Sequence, residues 1–140
     1  MAAATDCIFC KIAEGAIPAH RVWEDDRALA FLDINPLAAG HTLLIPKSHA
    51  ADIRDIDPEL AAYLFLQAPK LATAIEQATS ADGVNILQNT GAAAGQAVFH
   101  LHIHFIPRFE GDGLGFRWNA GQYGSGEAES MLSKIQSQLD

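Results

Sequence analysis

Between Phe99 and Phe105 the chain reads Phe-His-Leu-His-Ile-His-Phe, an unbroken alternation of apolar residues with three histidines. Successive side chains of an extended segment point to opposite faces. The pattern predicts a strand from Val98 to Ile106, ended by Pro107, with Phe99, Leu101, Ile103 and Phe105 on a packed face. His100, His102 and His104 then share the other face, about 7 Å from each to the next. Half of the chain's 6 histidines sit in this one short run. Thr, Lys or Glu would cover a merely solvated face equally well, and the interleaved apolar residues exclude an affinity tag.

The packed face calls for a helix, and the sequence supplies one. Asp57 suits the N-cap, Pro58 the first helical position, and Glu59 the positive helix end. Leu60, Leu64, Leu71 and Ile75 recur at helical spacing, with Tyr63 and Phe65 widening the stripe. Pro69 removes the hydrogen bond to the Phe65 carbonyl, so a kink is expected there, with the helix resuming to about Ala78. Four more strands are expected: Arg21 to Glu24 and Ala28 to Leu32 around an Asp25-Asp26-Arg27 turn, His41 to Ile45 stopped by Pro46, and Val84 to Asn89. A short helical turn over Ile8 to Ile12, capped by Thr5 or Asp6, precedes the break at Gly15 and Pro18. The stretch from Gly111 to Gly126 reads as loop, followed by an amphipathic helix through Met131, Leu132, Ile135 and Leu139. Five strands with one dominant helix, and no regular alternation of the two, define an α+β fold with a mostly antiparallel five-stranded sheet. One domain is expected, its core over about 5–108 and a Gly-rich tail over 109–140.

With 49% apolar and 19% charged residues, a chain of 140 can bury a real core. Its 9 basic and 17 acidic residues give a net charge of −8, the wrong sign for gripping nucleic acid through phosphates. No apolar run approaches the roughly 20 residues of a membrane span. Met1 to Cys7 has neither the basic start nor the apolar core of a signal peptide, so a cytoplasmic protein is expected.

Two chemistries could use the histidines. Three imidazoles on one strand face could hold a catalytic metal with one position left for water. Alternatively, an unprotonated imidazole could attack an electrophile and become covalently modified. Upstream lies Asn89-Thr-Gly-Ala-Ala-Ala-Gly-Gln96, whose small residues allow backbone N–H groups to approach an anionic oxygen. No Gly-Lys-Ser/Thr follows, so it is not a Walker loop.

The run from Gly95 to Arg108 resembles the signature of the histidine triad (HIT) family of nucleotide hydrolases and transferases. The resemblance extends back through His41 to His49, Ala30 to Ile34 and Cys7 to Ile12, in the family's order. It implies that His102 attacks the α-phosphate of a nucleotide conjugate, forming a nucleotidyl-histidine that water resolves to a nucleoside monophosphate. The His100 carbonyl would hold Nδ1–H of His102 and leave Nε2 free to attack. His104, Asn89 and the backbone amides of Gly95, Gln96 and Ala97 would contact the phosphate, with His41 close enough to support the triad. Asp33 would accept from the ribose hydroxyls, while Phe9, Ile12, Phe31, Leu32 and Ile34 would wall the base. Taken without the family, Phe9, Ile12 and Phe31 read more often as plain core residues, Asp33 could simply open a turn, and His41 reads equally as structural. One position departs: many members carry Ser or Thr where this chain has Ala97, which retains only its backbone N–H. That puts amine leaving groups in more doubt than pyrophosphate.

Cys7 and Cys10, three residues apart, cannot staple a domain of this size. A redox dithiol, half a metal site or two buried small hydrophobes remain as readings. Some bacterial members of the resembled family bind zinc through positions matching Cys7, Cys10, His49 and His100, which implies a closed structural zinc site here. A zinc on His100 excludes the three-histidine catalytic metal. The resemblance further implies a homodimer that joins two sheets at their edges, and C-terminal segments reach the partner's site in parts of the family, which gives the tail with Trp118 a possible role. The expected activity is hydrolysis of nucleoside phosphoramidates, aminoacyl adenylates or dinucleoside polyphosphates, releasing a purine monophosphate. A nucleotide-binding or sensing protein with negligible turnover is the alternative, supported by Ala97.

Overall fold

The computed structural model describes residues 6–115 and 119–139. Thr5 and Trp118 lie outside the described residues. In chain order the elements are α1 (Ile8–Ala13), β1 (Arg21–Glu24), β2 (Ala28–Leu32), β3 (Thr42–Pro46), α2 (Pro58–Thr79), β4 (Gly83–Gln88), a 3-10 turn (Ala92–Ala94), β5 (Ile103–Arg108) and α3 (Glu127–Leu139). The five strands form one antiparallel sheet in the order β1-β2-β3-β5-β4. The fold is α+β, as the sequence predicts.

The central strands β2 and β3 are apolar on both faces, and each face has its own cover. Ala28 and Ala30 of β2, Leu44 of β3, and Ile103 and Phe105 of β5 pack with Leu64, Leu71 and Ile75 of α2. Leu29, Phe31, Leu43 and Ile45 point the other way, against Phe9 and Ile12 of α1. The alternate positions of β2 and β3 thus feed two cores, the pattern of central strands buried on both sides. Leu43 faces His104 across the β3–β5 pair, so His104 shares the α1 side of the sheet.

Asp57 caps α2 by accepting the Glu59 N–H at 3.2 Å. The helix runs through Pro69 to Thr79, close to the expected end, and Phe65 is half-exposed rather than part of the buried stripe. Cys7, not Asp6, caps α1, its Sγ accepting the Cys10 N–H at 3.4 Å. Gly40 adopts φ +99° before β3, where a Cβ would lie 2.7 Å from the Thr79 methyl. Only glycine allows the chain to turn into β3 this close to the end of α2.

The fifth strand differs most from expectation. It begins at Ile103 and ends at Arg108, leaving Val98 to His102 outside the ladder. Pro107 does not end it but pairs with Val84 of the edge strand β4. Phe99 is about half exposed, and His100 is fully buried away from His104. Leu101 is tied to the Ala50 carbonyl by a 2.7 Å backbone bond, an irregular anchor rather than a ladder bond.

Candidate functional site

Two groups of side chains meet where the irregular lead-in to β5 passes under α1. The first is Cys7, Cys10, His49 and His100, whose ligand atoms all lie within 4.8 Å of one another. His100 Nε2–H donates to the Pro46 carbonyl at 2.8 Å, which leaves the Nδ1 lone pair facing the cluster. That Nδ1 is 3.3 Å from Cys7 Sγ, 3.5 Å from Cys10 Sγ and 3.3 Å from His49 Nδ1, and Cys10 Sγ is 3.4 Å from His49 Nδ1. Zinc bonds of about 2.3 Å to sulfur and about 2.0 Å to nitrogen give tetrahedral S···N edges of about 3.5 Å and N···N edges of about 3.3 Å. The residues therefore fit a four-coordinate metal. Burial lowers the His100 pKa to about 4, keeping the ring neutral, as a ligand must be.

The second group lines a cleft of about 390 Å³ between α1 and the sheet. Its walls include Ile8, Phe9 and Ile12 from α1, Ile17, Pro18 and Ala19 from the following loop, and Phe31 and Leu43 from the sheet. Asp33, Ile34 and Asn35 border it on one side, Ala97 and Val98 on another, and His102 and His104 form its polar floor. Phe9 meets both Phe31 and His102 edge-on, with ring centroids 5.5 and 5.1 Å apart.

His102 Nδ1 lies 2.7 Å from the His100 carbonyl oxygen. A carbonyl only accepts, so Nδ1 carries the proton and Nε2 keeps its lone pair. Burial holds the His102 pKa below the ordinary imidazole range against the opposing pull of that carbonyl. His41 and His104 form a second ordered pair. The Leu37 N–H donates to His41 Nδ1 at 3.1 Å, and His41 Nε2 lies 2.9 Å from His104 Nδ1. Asp33 Oδ2 stands 3.7 Å from the same His41 nitrogen. Burial pushes His41 down and takes His104 to about 4.

The loop before the histidines is stapled by Gln96. Its side chain accepts the Gly91 N–H at 2.8 Å and donates to the Ala51 and Val98 carbonyls. The backbone N–H groups of Gly95 and Gln96 are turned inward to Ala92 and Gly91 carbonyls. Of the three amides expected at a phosphate, that leaves the one of Ala97. Gly95 has φ +100°, and a Cβ there would press to 3.2 Å from the Asn89 amide nitrogen. Leu32 is about one-third exposed, and neither it nor Asn89, Gly95 and Gln96 lines the cleft.

His100, His102 and His104 do not converge on one ion. The first ring belongs to the cysteine cluster, and the three-histidine catalytic metal has no site among the described residues. Ile8, Ile17, Pro18, Ala19, Asn35, Leu43 and Val98 line the cleft without having been picked out by sequence. Residues 17–19 carry no periodic signal. They arrive because Ala16 and Ile17 fold back onto the Lys11 carbonyl.

Sheet order, apolar cleft and ordered imidazoles define the class: a small α+β protein that presents an imidazole nitrogen to an apolar cleft. The HIT domain model matches residues 14–111, and the chain belongs to the HIT family. A HIT family protein from Bacillus anthracis is 44% identical over 99% of this chain and 100% of its own, with a TM-score of 0.90. The adenylylsulfatase HINT3 of Arabidopsis thaliana is 48% identical over 78% of this chain, which spans 55% of that longer protein. A zinc-bound histidine triad family protein from Mycobacterium smegmatis is 41% identical over 95% of this chain and 97% of its own, with a TM-score of 0.75. The family includes nucleotide-binding proteins and hydrolases. No helix among the described residues is long and apolar enough to cross a membrane.

Proposed function

We propose that this chain is a nucleotide hydrolase of the histidine triad type, cleaving nucleoside phosphate conjugates through a nucleotidyl-His102 intermediate. The observation that carries the reading is the 2.7 Å bond from His102 Nδ1 to the His100 carbonyl, made at the floor of an apolar cleft. It fixes the tautomer in which Nε2 is the nucleophile. Phe9, Ile12, Phe31 and Ile34 take a purine base, and Asp33 the ribose hydroxyls. His104 Nε2–H and the Ala97 amide hold the phosphate oxygens. As the N–P bond forms, the bond from phosphorus to the leaving group breaks with its electron pair going to that group, and the imidazole gains positive charge, which the His100 carbonyl stabilises through Nδ1–H. Water then attacks phosphorus, the bonding pair returns to Nε2, and the monophosphate leaves.

We assign the cysteine cluster to zinc, in line with its tetrahedral spacing and the zinc-bound relative. All four ligands come from the protein, so the ion supplies a cross-link and no open coordination position. Thiolate ligands of this kind persist in a reducing compartment, which suits the cytoplasm. The chain acts as a homodimer in this reading, with the edge strand β4 offering its unpaired ladder to a second copy. Adenylyl sulfate, the substrate class named by the Arabidopsis relative, is the first conjugate to try. AMP release that falls by at least about 10³-fold in His102→Ala supports the enzyme. Tight AMP binding with no release from any adenylyl conjugate would instead identify a sensor.

A further inference from the structure

Resting on the reading above, we propose that the cleft selects among nucleotide conjugates by the acidity of the leaving group. It favours anhydrides whose leaving group departs as a stable oxyanion and discriminates against phosphoramidates of alkylamines.

The argument starts from hydrogen-bond direction. Because the Leu37 N–H donates to His41 Nδ1, His41 carries its single proton on Nε2. That N–H is directed at His104 Nδ1, 2.9 Å away, so His104 carries its own proton on Nε2. A second proton on His41 would have to sit on Nδ1 and expel the Leu37 bond. A second proton on His104 would have to sit on Nδ1, against the N–H of His41. The pair is held as two neutral donors in series, which agrees with the downward pull of burial on both.

A neutral imidazole can donate a hydrogen bond to a phosphoryl oxygen, but surrendering the proton would leave an imidazolate. Relay through the pair would place that negative charge on His41, 3.7 Å from the Asp33 carboxylate. Nor does the rest of the cleft supply a donor. His102 spends Nδ1–H on the His100 carbonyl, and Asp33 Oδ1 accepts the Asn35 N–H at 2.9 Å. The remaining lining side chains among the described residues are apolar except Asn35, and Ala97 brings no hydroxyl.

The chemistry divides accordingly. In an anhydride the Nε2 lone pair forms the N–P bond, the P–O bond breaks toward oxygen, and sulfate, phosphate or carboxylate leaves with no proton required. In a phosphoramidate the P–N bond breaks toward nitrogen, which would leave as an amide anion unless a proton arrives in the same step. Resolution by water is common to both, with one proton passing to solvent. A positioned general acid is worth about 10² to 10⁴-fold, and that is the handicap expected for the amine.

The test compares adenylyl sulfate with AMP joined to an alkylamine, using the full chain at neutral pH. The account expects kcat/KM for the sulfate conjugate to exceed that for the amine by at least about 100-fold. Ala97→Ser, which adds a hydroxyl to the cleft wall, should narrow that ratio by at least about tenfold by raising the amine rate. Two conjugates cleaved within about threefold of each other, with His102→Ala inactive on both, would overturn the selection while leaving the His102 reading intact. A ratio unmoved in Ala97→Ser also counts against it. Absence of release from either conjugate overturns both readings.

Discussion

His104 shows how one backbone contact can set the protonation of a distant nitrogen. The Leu37 amide fixes His41, His41 fixes His104, and His104 faces the cleft as a neutral donor. Its neighbours are His41, His102 and Asp33. Burial and the two imidazoles depress its pKa, and the Asp33 carboxylate opposes them without winning. The sign of the linkage follows. Unfolded, the ring takes a proton near its ordinary value of 6.5, whereas folded it does so at about 4. The unfolded state therefore binds more protons between these values. The contribution of His104 is complete above pH 6.5 and is lost progressively as pH falls toward 4. The denaturation midpoint should fall between pH 7.5 and pH 5 by more in the wild-type chain than in His104→Gln, where this titration is gone. Equal falls in the two proteins would contradict the assignment.

At the scale of elements, α1 is the connecting piece. It brings Cys10 to the cysteine–histidine cluster and Phe9 and Ile12 to the cleft, while Cys7 serves as both its cap and a cluster residue. Across from it, His100 turns its ring to the cluster and its carbonyl to His102. Chelation should therefore loosen α1, lowering the melting temperature by at least about 6 °C, the equivalent of about 2 kcal/mol in a chain this size. AMP affinity should weaken in the same titration, because the cleft loses a wall. A chelated protein with unchanged melting and unchanged AMP affinity would refute that coupling. The same stretch explains what the sequence could and could not convey. Strands β1 to β4 are legible as short runs bounded by turn residues, and the start of α2 by its cap and helical periodicity. The alternation through Phe99 to Phe105 is real, but from Val98 to His102 the side chains go to separate environments, with Val98 and His102 in the cleft, Phe99 half-exposed, His100 in the cysteine cluster and Leu101 in the core, rather than to two faces of a sheet. Periodicity cannot distinguish these. Nor can it foresee Pro107 inside a strand, which is tolerated where β5 has passed the end of its pairing with β3.

At the scale of the molecule, the sheet is closed by helices on its faces and open at its ends, with β1 and β4 as edges. Helix α3 forms where the sequence predicts an amphipathic segment, yet Met131, Leu132, Ile135 and Leu139 are all exposed. An apolar stripe of this kind and an open edge strand would both be covered in the proposed homodimer. Light scattering should return twice the 15.0 kDa of one chain. A mass of one chain across the micromolar range would contradict the homodimer.

The central claim concerns one atom, Nε2 of His102. Acid-free quenching of the protein during turnover of adenylyl sulfate, followed by proteolysis and mass spectrometry, should find an adenylyl group on the peptide containing His102 and localise it to that residue. An adenylyl group fixed at His104, His41 or any other residue, or turnover with no adduct under conditions that preserve phosphoramidate bonds, would contradict the account.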